Sequence, residues 1–297
     1  DFVMVIMNYK AGQLANRLFY FSHFISNSIA HNYKLINPSF NDYKDFFTST
    51  ATNDFNGHNI SLRITGNQPF DELVRKAVNA VQKVQVKPLR NLPGVSFHEI
   101  KAYDAAPKSF DMNDSDFVAA AKNKVVFVDG WLYRDYKDFE KHAASIRKIF
   151  TPLPKYTEQV EEVINRCMQL GDTIIGVHIR RGDYKTYNNG KWFYEDDVYY
   201  KKMNALKQQL EAEGKKCVFL ICSNEKINKN NYPGLPIVTE DRHFIVDLYA
   251  LSRCHYLIGP PSTFTMWASF YGETPLLALE DASKEVILSE FKIVTQG

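Results

Sequence analysis

No apolar run in this sequence approaches the roughly 20 residues that a membrane-spanning helix needs, so no transmembrane segment is expected. Cysteine is scarce and one-sided. Cys167, Cys217, Cys222 and Cys254 all fall in the second half, and no two of them form a CxxC pair. That excludes a dithiol redox motif, and no His/Cys ligand spacing suggests a structural metal. Cys217 and Cys222 sit in an apolar stretch, so buried free thiols in a reducing, cytoplasmic compartment are expected, the inner membrane face being compatible. An excess of one charge is also missing: 36 Lys and Arg stand against 34 Asp and Glu. A protein that lives by coating nucleic acid would carry a strong basic surplus. There is no internal repeat and no low-complexity segment. Neither GxGxxG nor GKT/S occurs, so no dinucleotide or Walker loop is present.

What is present is a chain of 297 residues, 45% apolar and 24% charged. This is the composition of a globular protein, long enough for one large or two medium domains. The start, DFVMVIMNYK, lacks an initiator Met and the basic-then-apolar pattern of a leader. It reads as a first strand, and prior removal of a signal or anchor is compatible with it. The many Tyr and Phe (17 and 21) suit sugar faces, but core packing is the commoner use of any one of them.

Val3–Met7 reads as a strand, Asn8–Asn16 as a loop with Gly12, and Leu14–Tyr33 as a helix, with Leu18, Phe21, Ile25 and Ile29 at helical spacing. Residues 34–70 suggest only short strands and loops, and Asp71–Val86 fits either helix or strand. Val125–Asp129 is a strand and Tyr136–Phe150 a helix with Ile146 and Ile149 inward. Pro152 and Pro154 then interrupt the chain. The spacing therefore predicts two domains, 1–152 and 153–297. In the second, helices over 155–169, 196–213, 244–253 and 262–271 alternate with strands over 173–180, 217–222, 237–239, 255–259 and 275–279. That alternation predicts an α/β doubly wound parallel sheet.

The stretch Thr173–Tyr184, TIIGVHIRRGDY, carries the strongest chemical signal. A buried strand ends in His178, Arg180 and Arg181 and turns at Gly182 with Asp183. Two guanidiniums at the carboxyl end of a buried strand are costly unless an anion or carboxylate meets them, and a diphosphate matches the rigid Arg donor fork. Ligands of open α/β sheets sit at that end. His178 and Arg180 share one strand face, and Arg181 begins the turn. The plain alternatives are a salt bridge to Asp183 and a core histidine. Asp183 is expected to orient an arginine rather than act as a base, since a neighbouring guanidinium lowers its pKa. The same sheet edge should carry Ser223–Glu225 and Pro260–Phe264. There Ser262 and Thr263 open a helix whose free N–H groups and dipole invite a phosphate, unless Ser262 is only an N-cap. The loop GQLANRLF (12–19) is by pattern alone an ordinary strand-to-helix turn. Asp114–Asp116 reads DSD in a polar, exposed loop, which is no convincing metal motif.

Three of these segments resemble one family. HIRRGDY (178–184) is similar to the HxRRxDY signature of the α-1,2-fucosyltransferases and their superfamily. GQLANRLFYFSHF (12–24) resembles that family's amino-terminal loop and helix, and DLYALSRCHYLIGPPSTFTMWASFYG (247–272) its carboxy-terminal motif. The resemblance implies a GT-B fold, two Rossmann-like domains facing across a cleft, the first on the acceptor side and the second binding the donor. It implies inverting transfer of fucose from GDP-fucose to a sugar hydroxyl of a glycan, by α-1,2 linkage and with no metal or other cofactor. Arg180 and Arg181 would hold the diphosphate, with His178 and Asp183 shaping that site. Ser262, Thr263 and the Phe264 backbone would bind the β-phosphate. Ser223, Asn224 and Asp247 would lie near guanine or ribose, and Asn16 would close the donor site from the first domain. The sequence departs from the family where SNE replaces an S-D-[DN] loop and where Met266 stands in place of a Trp. A transferase using GDP-mannose or a UDP-sugar, or a non-catalytic relative, are the alternatives. The general base, the acceptor and the oligomeric state are not legible.

Overall fold

A computed structural model describes residues 3–84, 92–100 and 109–297. The chain divides into two compact units, Asp1–Leu153 and Pro154–Thr295.

In the first unit the strands are β1 (Met4–Met7), β2 (Leu35–Ile36), β3 (Ile60–Ser61), β4 (Val95–Glu99), β5 (Phe110–Asp111), β6 (Val125–Asp129) and β7 (Tyr133–Arg134). Five form a parallel sheet in the order β3-β2-β1-β6-β4, and β5 and β7 pair separately. The helix Leu14–His31 follows β1 and buries Leu14, Leu18, Phe21 and Ile25. It stops at Asn32, whose left-handed backbone (φ 56°) returns its N–H to the Ser28 carbonyl. Such a terminus closes a helix without glycine, because Asn tolerates that region.

Three expectations change here. The undecided segment from Asp71 is helix, Gln68–Val84, and Val86 lies outside the described residues. The single helix expected over Tyr136–Phe150 is two, Tyr136–Lys141 and Ala143–Ile149, separated at His142 (φ −105°, ψ 18°). Ile146 and Ile149 are buried as their spacing requires. The DSD segment is exposed, as expected, but it starts a helix and is not a loop. Asp114 accepts the Phe117 N–H at 3.0 Å and caps the helix Ser115–Asn123, a use that accounts for the residue type.

The second unit contains β8 (Thr173–Ile179), β9 (Cys217–Ser223), β10 (Ile237–Val238), β11 (Tyr256–Gly259) and β12 (Leu276–Ala278), parallel in the order β10-β9-β8-β11-β12. Every residue of β8 is buried, as a central parallel strand covered on both faces must be. One face carries Ile175, Val177 and Ile179 against Tyr199, Met203, Leu206 and Leu210 of the helix Asp196–Ala212. Each such side chain contributes roughly 1.5–3 kcal/mol on burial. The other face carries Gly176 and His178. A Cβ on Gly176 would stand 2.6 Å from Leu257 Cδ2 and 2.7 Å from Leu251 Cδ2. Glycine there lets the helix Phe244–Leu251 approach the strand. All four cysteines are buried free thiols.

Candidate active site

Successive strands leave β8 in opposite directions, β9 to one side and β11 to the other. The carboxyl ends of β8, β9 and β11 therefore meet at a topological switch point, the place where open α/β sheets bind ligands. A pocket of about 1000 Å³ opens there, lined among others by His178, Arg180, Ser223, Asn224, Asp247 and Phe264.

Strand alternation explains which groups reach it. Arg180 follows Ile179 on the His178 face and lines the pocket. Its Nε and Nη2 donate to the two carboxylate oxygens of Asp183, at 3.1 and 3.0 Å. Arg181 falls on the opposite face. There its guanidinium meets Asp196, at the start of the helix Asp196–Ala212, and Glu195 at 3.6 Å. Asp196 also accepts from Tyr232 (2.6 Å) and Asn231 (2.5 Å). Burial works against its ionised form, but these donors together with Arg181 hold its pKa below the usual carboxylate value. The pocket thus receives one guanidinium of the pair, not two.

Two ties lock the three loops together. Asn224 accepts the Arg181 N–H at 2.9 Å and donates back to the Arg181 carbonyl at 3.2 Å. Tyr184 donates to the Pro261 carbonyl at 2.9 Å, and Arg180 lies over its ring at 5.5 Å. Gly182 takes φ +60° in the turn between Arg181 and Asp183, a conformation that favours glycine.

His178 stacks on Phe264, ring centroids 4.7 Å apart, and its Nδ1 is buried without a hydrogen-bond partner among the described residues. Burial, reinforced by the Arg180 charge, pushes its pKa down to about 3, so the ring is neutral at physiological pH. Ser262 is the N-cap of the helix Thr263–Gly272, its Oγ accepting the Phe264 N–H at 3.1 Å. The side chains of Ser262 and Thr263 are not part of the pocket wall, which receives Phe264 instead. Ser223 Oγ turns back to accept the Glu225 N–H. Asn16 belongs to the first unit, where its Nδ2 lies 2.5 Å from the point that a Cβ on Gly12 (φ +60°) would occupy.

The sequence reading missed Arg242, which also lines the pocket. Its Nε donates to Asp247 Oδ1 at 2.8 Å, and both side chains are largely buried, 7% and 11% exposed. The signal was an arginine five residues before Asp247, between the strand expected over 237–239 and the helix expected over 244–253. Among the described residues, no group of three or more His, Cys, Asp or Glu side chains could hold a metal ion.

Two parallel α/β sheets, the second with its carboxyl edge at a switch point, make an architecture of the GT-B kind. The sequence profile of glycosyl transferase family 11 matches residues 136–284. The chain belongs to that family of glycosyltransferases. Among solved structures, a mutant of Arabidopsis thaliana FUT1 in complex with GDP is 14% identical, with a TM-score of 0.63 over 98% of this chain and 74% of that one. The α-1,6-fucosyltransferase NodZ from Bradyrhizobium, soaked with GDP-fucose, is 14% identical, with a TM-score of 0.56 over 97% of each chain. POFUT1 in complex with GDP-fucose is 11% identical, with a TM-score of 0.52 over 93% of this chain and 97% of that one. At these identities the likeness is one of fold. No curated protein matches the sequence significantly. No helix among the described residues is long and apolar enough to cross a membrane.

Proposed function

We propose that this chain is an inverting fucosyltransferase that moves fucose from GDP-fucose to a sugar hydroxyl of a glycan, forming an α-1,2 linkage without a metal. The observation that carries this reading is Arg180 in the switch-point pocket, oriented by Asp183 and set beside the start of the helix Thr263–Gly272. It is joined by the GDP and GDP-fucose complexes among the structural neighbours.

As the glycosidic bond loosens, positive charge grows on the fucose ring and negative charge on the β-phosphate oxygen that leaves. Donors aimed in advance at that oxygen stabilise the transition state more than the ground state. Arg180 and the positive end of the helix Thr263–Gly272 supply this stabilisation, with Thr263 and Phe264 at the phosphate. Arg181 acts at the same loop by anchoring it to Asp196 and, through its backbone, to Asn224. Neutral His178 and Asp247 line the part of the pocket that takes guanine, with Ser223 and Asn224 toward the ribose. The amino-terminal unit reads the acceptor. The four buried thiols suit a reducing, cytoplasmic compartment.

The test is calorimetric titration of the wild type and Arg180→Ala with GDP and UDP in the presence of EDTA. GDP binding that the substitution abolishes, with UDP silent, is expected. UDP binding in place of GDP would overturn the donor, and silence for both would favour a protein that keeps the fold without the reaction.

A further inference from the structure

Arg242 and Asp247 are joined in a way that stability alone does not explain. Arg242 Nε donates to Asp247 Oδ1, and its Nη2 donates to the Ile221 carbonyl at 3.3 Å beside Cys222 Sγ at 3.9 Å. Its Nη1 is buried without a partner among the described residues. Asp247 Oδ2 lies outside the pairing with Arg242 Nε, and Asp247 lines the pocket. Buried ion pairs are weak stabilisers, because desolvation cancels most of their attraction. What such a pair does well is hold one carboxylate in one orientation and keep it ionised. Burial pushes the Asp247 carboxyl up in pKa, and Arg242 is the group that opposes this. By holding Oδ1, the clamp sets the direction of Oδ2.

We propose that Arg242 is a positioning residue for nucleobase selection: by clamping Asp247 Oδ1 it presents Oδ2 to the pocket as a fixed acceptor for the N–H edge of guanine. This rests on the reading of the pocket as a guanine-nucleotide site. Guanine offers two adjacent donors, N1–H and the 2-amino group. Hypoxanthine keeps only N1–H, and uracil flanks its one N–H with two carbonyls. A carboxylate held at a set angle separates the three bases, whereas a carboxyl free to rotate or take up a proton does not.

The experiment is calorimetric titration of GDP, IDP and UDP into the wild type, Arg242→Met, Arg242→Lys and Asp247→Asn, with thermal unfolding of each. The wild type is expected to prefer GDP over IDP by about tenfold or more, the worth of a hydrogen bond to a charged group. Arg242→Met should bring that ratio close to one, Asp247→Asn should do the same, and Arg242→Lys, which keeps the charge but loses the fork, should restore it in part. A folded Arg242→Met with the wild-type ratio would overturn the inference, as would a proportional loss of affinity for all three nucleotides. If the Met variant does not fold, Arg242→Lys decides: a reduced ratio supports the inference and an unchanged ratio overturns it. A wild type that binds GDP and IDP equally overturns the inference and leaves the donor reading standing. A wild type that binds no guanine nucleotide removes both.

Discussion

Arg180 commits two of its donors, Nε and Nη2, to the two oxygens of Asp183, three residues along the chain. Nη1 is the nitrogen outside this pairing. An exposed bridge of this kind, 22% and 58% exposed, contributes little to stability but sets the direction of the guanidinium. Arg180→Ala is expected to lower turnover with GDP-fucose by roughly 100- to 1,000-fold, the usual cost of losing a transition-state donor. Arg180→Lys should fail to restore it, because a point charge cannot reproduce the fork. Asp183→Asn should lower turnover while leaving unfolding free energy within about 1 kcal/mol of wild type. Steady-state rates and thermal melts check all three, and an Arg180→Ala variant with near-normal turnover would remove Arg180 from the reaction.

Arg181 behaves in the opposite way. Its guanidinium is mostly buried against Asp196, 12% and 23% exposed, and so is a structural anchor of the loop. Breaking such a pair leaves a charge in a low-dielectric setting, which costs about 3–5 kcal/mol when burial is complete and less here. Arg181→Met should therefore lower the unfolding midpoint clearly, in contrast to Asp183→Asn. Chemical denaturation of the two variants side by side separates the roles, and equal stabilities would contradict them.

His178 links the site to pH. Its folded pKa of about 3 lies below the ordinary value of 6.5. Between these pH values the unfolded chain binds a proton at this residue and the folded chain does not. Stability is therefore expected to fall as pH drops from about 6.5 toward 3, and to be free of this contribution above 6.5. His178→Gln should flatten that slope. Urea unfolding at a series of pH values, with imidazole NMR titration of the native protein, checks it. A His178 resonance titrating near 6.5 would show that the ring is not held neutral.

Gly176 should accept no side chain. Alanine there meets Leu257, Leu251 and the Cys254 sulfur within about 3 Å. Gly176→Ala should cost roughly 1–3 kcal/mol through overpacking. Because the helix that moves carries Asp247, GDP affinity should fall along with the melting temperature. Calorimetry and a thermal melt on the same preparation would reveal whether one changes without the other.

The sequence by itself determined the second unit in detail, because its signals are local. A seven-residue apolar run is long enough to be read as the buried strand β8, alternation puts His178 and Arg180 on one face, and right-handed crossovers bring the ends of β8, β9 and β11 to one edge. The first unit was harder. β2 and β3 are two residues each, too short for any period to show, and the apparent helix Tyr136–Phe150 hides a break at His142 that one continuous spacing cannot reveal. Only the tertiary structure decided which of two adjacent arginines faces the ligand edge. That depends on where the helix Asp196–Ala212 begins, and so on what Asp196 meets. It likewise paired Arg242 with Asp247 and aimed Tyr184 at Pro261. These are contacts between residues far apart in the sequence or in an unpatterned stretch, and nothing in their composition or spacing marks them until the chain brings them together. The physical reason is that strand period and helix period are written in neighbouring residues, whereas the partner of a buried charge is chosen by packing across the whole unit.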